Sequence, residues 1–145
     1  MSFSLKKYLI PMIIVASGIT IWEFSSPPFP SVQIGDTRIS VEIVQSKDEL
    51  AKGLSGRPSL NADSGMLFIM PKKDNYTFWM KGMLFSIDII WIADHKIVGI
   101  DRNLPLDGGQ KLYQSPDRVD EILEVNAGLA EKHNFHIGDE VTVLK

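Results

Sequence analysis

The sequence predicts a mainly β (α+β) fold, an antiparallel sandwich or partly closed barrel with two short helices. Three observations predict it. From residue 31 onward, short stretches of alternating or continuous apolar residues follow one another, separated by Gly, Asp, Asn and Pro. Two segments alone carry helix start and stop signals. No long helical pattern intervenes between consecutive strands, so the strands are expected to pair with chain neighbours without crossover helices.

Taken in order, SVQIGDTRISVEIV (31–44) reads as a hairpin, because Gly35-Asp36 sits between two alternating apolar stretches and Ile39, Val41 and Ile43 fall on one face. SKDELAKGL, from Ser46, reads as a short helix. Ser46 and Glu49 have the spacing of a capping box, which satisfies free amides at a helix start, and Gly53 is a natural stop. After a polar loop, GMLFIM (65–70), YTFWMK (76–81), IDIIWIA (87–93) and KIVGI (96–100) read as four strands in succession, the last two joined by a short turn. The segment 101–120, with Pro105, Gly108, Gly109 and Pro116, reads as a long irregular loop of the kind that serves as a binding element or lid. EILEVN (121–126) is then a further strand, Asn126 a cap for the helix AGLAEKH, and Gly138-Asp139 the turn into a last strand, EVTVLK.

The amino terminus bounds location. Lys6 and Lys7 precede the apolar run LIPMIIVASGITIW (9–22), so residues 1–24 read as a signal peptide or a single-pass membrane anchor. Pro27, Pro28 and Pro30 make residues 25–30 a short stiff spacer, and 31–145 is long enough for a single globular β-rich domain. The expected location is extracytoplasmic, periplasmic or extracellular, tethered to the membrane or secreted if the first segment is cleaved. With Lys6, Lys7 and Glu23 set aside, 13 basic and 17 acidic residues remain, a formal charge of −4 that argues against a nucleic-acid partner. Cysteine is absent from the chain, which removes disulfides and thiol nucleophiles.

The blocks ELAKGLSGR (49–57), SGMLFIM (64–70), FWMKGMLFSIDIIWI (78–92), SP (115–116), ILEVNAG (122–128) and IGDEV (137–141) together resemble family 192 of the domains of unknown function. The resemblance implies a small, often exported β-rich domain with no established activity. Gly53, Leu54, Arg57, the run Gly65–Phe68, the run Phe78–Lys81, Asp88 and Glu124 fall on the family's pattern. The chain departs from it at Gly82 and Met83, where asparagine and threonine are usual, at Ser86 in place of a proline, and at Ser55 in place of a methionine.

The candidate binding residues are Arg57, Trp79, Lys81, Asp88 and Glu124. On an extended strand Trp79 and Lys81 share a face. Asp88 lies among Ile87, Ile89 and Ile90, where a carboxylate needs a cation or several donors, and Lys81 or Arg57 is the expected partner. Such a set suits a pocket with a tryptophan wall that grips a small polar, anionic or carbohydrate-like ligand. The alternative is a structural or protein-interaction domain whose charges only stabilise the fold. A further alternative is a glycoside hydrolase using Asp88 and Glu124, which requires both carboxyls on the same side of the sheet. His95, His133 and His136 match no triad or zinc motif and read as solvent-facing; Met66, Met70, Met80 and Met83 read as core filler, so no cofactor and no metal is implied.

Overall fold

The computed structural model describes residues 29–145; the expected leader or anchor and most of the spacer lie outside the described residues. Among the described residues no helix is long and apolar enough to cross a membrane. The elements are β1 (Ser31–Ile34), β2 (Thr37–Val44), α1 (Lys47–Lys52), β3 (Ser64–Asp74), β4 (Thr77–Trp79), β5 (Ile87–Ala93), β6 (Lys96–Leu104), β7 (Leu112–Gln114), β8 (Val119–Asn126), α2 (Leu129–Lys132) and β9 (Val141–Leu144). Seven strands form the main sheet in the order β6-β5-β8-β3-β2-β1-β9, while β4 and β7 form a separate two-stranded ribbon.

The main sheet curls into a half-barrel. Its two edges meet at one point: the Ile97 amide donates to the Asp139 carbonyl (3.0 Å), the Gly138 amide to the Ile97 carbonyl (2.8 Å) and the Val141 amide to the His95 carbonyl (2.8 Å). Both faces of the sheet are covered. Val32, Ile39, Leu67, Ile90, Leu123 and Val125 fill the concave side, where Leu129, Ala130 and Phe135 from the α2 region join them. Met66, Phe68, Ile89, Trp91 and Ile122 form a second core on the convex side, packed with Leu54, Met80 and Tyr113 from the segments that lie over it. Double coverage explains why IDIIWIA is continuously apolar apart from Asp88 and why all seven of its residues are buried.

The hairpin, the capped first helix, IDIIWIA and the final strand stand where the sequence puts them. Ser46 and Glu49 form the complete capping box, and Gly53 closes the helix with φ 48° and ψ −136°, a conformation that needs glycine. Four expectations are corrected. β2 and β3 run parallel, so α1 and the loop after it are a crossover, as parallel neighbours require. The segment 76–81 does not join the succession of strands, because β4 leaves the main sheet to pair with β7. The expected loop 101–120 holds the end of β6, all of β7 and the start of β8. Asn126 does not cap α2; its amide donates to the Leu60 and Asn61 carbonyls (3.2 and 2.9 Å).

Candidate ligand cleft between α1 and β4

The ribbon is fixed over the convex face by an aromatic chain. The Phe78 ring meets Phe68 edge-on at 5.2 Å and Trp91 edge-on at 5.6 Å, which orients β4 with Phe78 toward the sheet. Side chains alternate along a strand, so Thr77 and Trp79 face outward, and Trp79 is 56% exposed opposite the equally bare Leu112. At the ribbon's far end the Ser115 hydroxyl accepts the Tyr76 amide (3.0 Å), and Pro116 lies so close over Gly99 that a Cβ there would sit 2.5 Å from its Cγ. The Ser-Pro block therefore ends the ribbon and pins it to the sheet.

The chain leaving α1 runs alongside β4 and is stitched to the turn that follows it. The Ser55 hydroxyl donates to the Lys81 carbonyl (2.8 Å), and the Gly56 amide donates to the Gly82 carbonyl (2.8 Å). Between the two segments lies a cleft of about 190 Å³, walled by Leu50, Leu54, Phe78 and Trp79 and floored by Phe68 and Glu124.

Glu124 is the unusual group. It is 5% exposed, its Oε2 has no hydrogen-bond partner, and the Cβ position of Gly53 is 4.0 Å from that oxygen. Burial pushes its carboxyl up from the usual 4.5 to about 8, so it is protonated at neutral pH. A neutral carboxyl both donates and accepts. The floor of the cleft thus offers one two-way hydrogen-bonding group in apolar surroundings, beside an exposed indole.

The five sequence-predicted residues do not converge. Glu124 and Trp79 share the cleft. Arg57 instead holds Glu42 end-on, its Nη1 and Nη2 each meeting one carboxylate oxygen (2.7 and 2.9 Å), which raises the arginine and lowers the glutamate in pKa. Lys81 lies in the turn beyond the end of β4, exposed and outside the cleft lining, so the face it was expected to share with Trp79 does not exist. Asp88 pairs with neither cation. It is fully buried and accepts the amides of Asn103 (2.8 Å), Gly128 (3.1 Å) and Ala130 (3.0 Å), so a carboxylate from β5 caps the start of α2, whose own cap residue is a glycine. Three backbone donors satisfy the charge as an ion pair would.

The register separates the two carboxyls. Asp88 lies opposite Val125, and Glu124 opposite Ile89 and Met66. Directly opposed residues share a face, which puts Asp88 on the concave side and Glu124 on the convex side. A glycosidic bond cannot lie between groups on opposite sides of a sheet, and the hydrolase alternative is withdrawn.

The remaining candidates sort by packing. Met66 and Met80 are buried and Met70 and Met83 pack against the convex core, as filler does. His133 is not solvent-facing as expected: it is half-buried, stacks on Phe135 and bonds the Thr37 hydroxyl (3.1 Å). A larger concavity of about 950 Å³ lies at the open mouth of the half-barrel. Its rim mixes Lys96, Lys145, Glu121 and Glu140, with Asp94 already tied to Lys73, and it has no aromatic wall. Sequence reasoning missed Gly53 and Phe68 as parts of the cleft. The signal was the GLSG run after the helix, since a glycine with positive φ there lets the backbone pass close over whatever lies beneath.

Fold and cleft define a class: a small β half-barrel whose convex face carries a shallow, acid-floored cleft under a two-stranded ribbon. The chain belongs to family 192 of the domains of unknown function (DUF192), described as an uncharacterized ACR, which matches over residues 31–143. It is similar to a protein of unknown function from Novosphingobium aromaticivorans, with 29% identity, a TM-score of 0.72, and coverage of 77% of this chain and 83% of that one. It is also similar to a Sinorhizobium meliloti protein provisionally named a transcription regulator, with 26% identity, a TM-score of 0.73, and coverage of 83% of this chain and 97% of that one. No curated protein matches the chain.

Proposed function

We propose that this chain is a membrane-tethered extracytoplasmic binding module whose convex cleft holds a small uncharged polar group, a sugar ring being the simplest occupant. The observation that carries the reading is the unpartnered Glu124 carboxyl at the floor of a cleft beside an exposed Trp79. An aromatic face and a single hydrogen-bonding group that both donates and accepts suit a hydroxyl-bearing ring. At about 190 Å³ the cleft has room for one ring or one side chain, below the ~300 Å³ at which drug-sized pockets begin. An anionic ligand fits worse: it would lie against a buried carboxyl, while Arg57 is committed to Glu42 and Lys52 on the cleft wall is solvent-exposed. Tethering is supported by Lys6 and Lys7 ahead of the apolar run 9–22 and by the Pro-rich spacer.

The test is a thermal-shift panel of neutral methyl glycosides against the matching uronates at pH 7. Neutral glycosides are expected to raise the melting temperature of the parent and not of Trp79→Ala or Glu124→Gln, because only native-state binding stabilises. A shift that survives both substitutions defeats the reading, and none with any glycoside removes the sugar ring as the occupant. The exposed Trp79–Leu112 pair favours the second reading, a protein-interaction domain, which expects no glycoside shift.

A further inference from the structure

One edge of β4 is open on the cleft. Among the described strands β4 pairs with β7 alone. The Ser115 amide donates to the Tyr76 carbonyl (2.9 Å), and hydrogen-bonded and non-bonded pairs alternate along an antiparallel ladder. Two residues on, Phe78 and Tyr113 are therefore the next pair to exchange hydrogen bonds. Thr77 and Trp79 direct their amides and carbonyls the other way, and both residues line the cleft. Those four backbone groups, spaced two residues apart, have no partner among the described residues.

An unpaired strand edge matches the backbone of an extended polypeptide and little else. The parity of the site agrees. A chain added to this edge sets one residue opposite Thr77 and another opposite Trp79, each exchanging hydrogen bonds, with side chains directed outward as theirs are. The residue between them lies opposite Phe78 and directs its side chain inward, as Phe78 does, onto Phe68 and Glu124.

We propose that the cleft receives an extended polypeptide segment, which adds to the free edge of β4 through Thr77 and Trp79 and lowers one uncharged polar side chain onto Glu124. The proposal rests on the cleft being a site for a small uncharged polar group, and names the chain that presents it. A serine, threonine, asparagine or glutamine side chain supplies the donor and acceptor that the Glu124 carboxyl lacks.

The experiment uses end-blocked pentapeptides Val-Thr-X-Thr-Val, with Gln, Asn or Thr at X, titrated against the full-length protein by calorimetry. Each is compared with forms N-methylated at both flanking threonines or at X alone. Addition to β4 needs the flanking amides and leaves the amide of X pointing away. Methylating the flanking pair removes two hydrogen bonds and is therefore expected to weaken binding about thirtyfold, from a net strength of ~1 kcal/mol for each, while methylating X leaves it unchanged. Glu124→Gln is expected to alter the preference for X without removing the methylation pattern. Equal binding by all three forms, or no peptide binding while neutral glycosides still bind, overturns the strand-addition proposal and leaves the cleft reading standing. Binding of peptides and glycosides alike that ignores both Trp79→Ala and Glu124→Gln overturns the cleft reading and the proposal with it.

Discussion

Raising the pH from 5 to 7 is expected to destabilise the parent by roughly 2–3 kcal/mol more than it destabilises Glu124→Gln. In the unfolded chain the carboxyl has its ordinary value of 4.5; in the fold, burial holds it near 8. Across the interval the folded state keeps the proton and the unfolded state gives it up. A state that binds more protons is favoured at low pH, so this contribution is fully present below pH 4.5 and is lost as the pH rises to about 8. Each unit of separation is worth ~1.4 kcal/mol, and the interval covers most of two units on the unfolded titration curve. Glu121 is also raised by burial and by neighbouring Asp120, so the parent's own slope mixes the two groups. The difference between parent and variant isolates Glu124. Glu42, Asp74, Asp94 and Asp107 are shifted down, and what they contribute is lost only as the pH falls below the ordinary carboxylate range. The assay is urea denaturation of both proteins at pH 5, 6 and 7. Parallel pH profiles would refute the claim that Glu124 is a buried, unpartnered carboxyl.

Other expectations follow from the same geometry. Asp88→Asn leaves an acceptor but removes the charge from three backbone hydrogen bonds, and should cost ~2–3 kcal/mol in urea denaturation with faster amide exchange at Ala130; a loss under ~1 kcal/mol would mean that the α2 clamp is not charge-assisted. Gly53→Ala forces a side chain into positive φ with its Cβ 3.3 Å from the Phe68 ring, so it should cost ~1–3 kcal/mol and abolish any glycoside shift; an unchanged melting temperature would argue against the strained turn. Ser46→Ala removes the capping box and should cost ~1 kcal/mol by thermal melting. Arg57→Ala breaks only a half-exposed ion pair and should change stability by less than ~1 kcal/mol while leaving glycoside binding intact.

Local structure was legible wherever a short-range rule governs it. The Gly35-Asp36 hairpin needs only turn chemistry and alternation, and the Ser46–Glu49 box only spacing. The continuous apolar run around Trp91 also announced a strand covered on both faces. What escaped was set by partners far along the chain. Nothing within YTFWMK says that it pairs with the triplet LYQ across more than thirty residues, yet that pairing lifts β4 off the sheet and ends it before Lys81. The parallel join of β2 to β3 was hidden because α1 buries no side chain and lacks the long apolar stripe by which crossover helices announce themselves. For the site, Trp79 and Glu124 were found as residue types, an aromatic and a buried acid. Asp88 was correctly seen as needing compensation, but the sequence shows side-chain cations and hides backbone amides, so Lys81 stood in for the three donors that hold it. The sides taken by Asp88 and Glu124 follow from register, which only the assembled sheet supplies.

The two hydrogen bonds that tie Ser55 and Gly56 to the turn after β4 give the cleft a direction. They close it at the Lys81 end. A chain added along β4 as proposed would meet a stop two residues beyond Trp79, so the cleft is a dead-end slot rather than a through channel. It favours a polypeptide that terminates or turns outward there. Under the strand-addition proposal, the ends and bends of partner chains would suit this slot better than the middles of their strands.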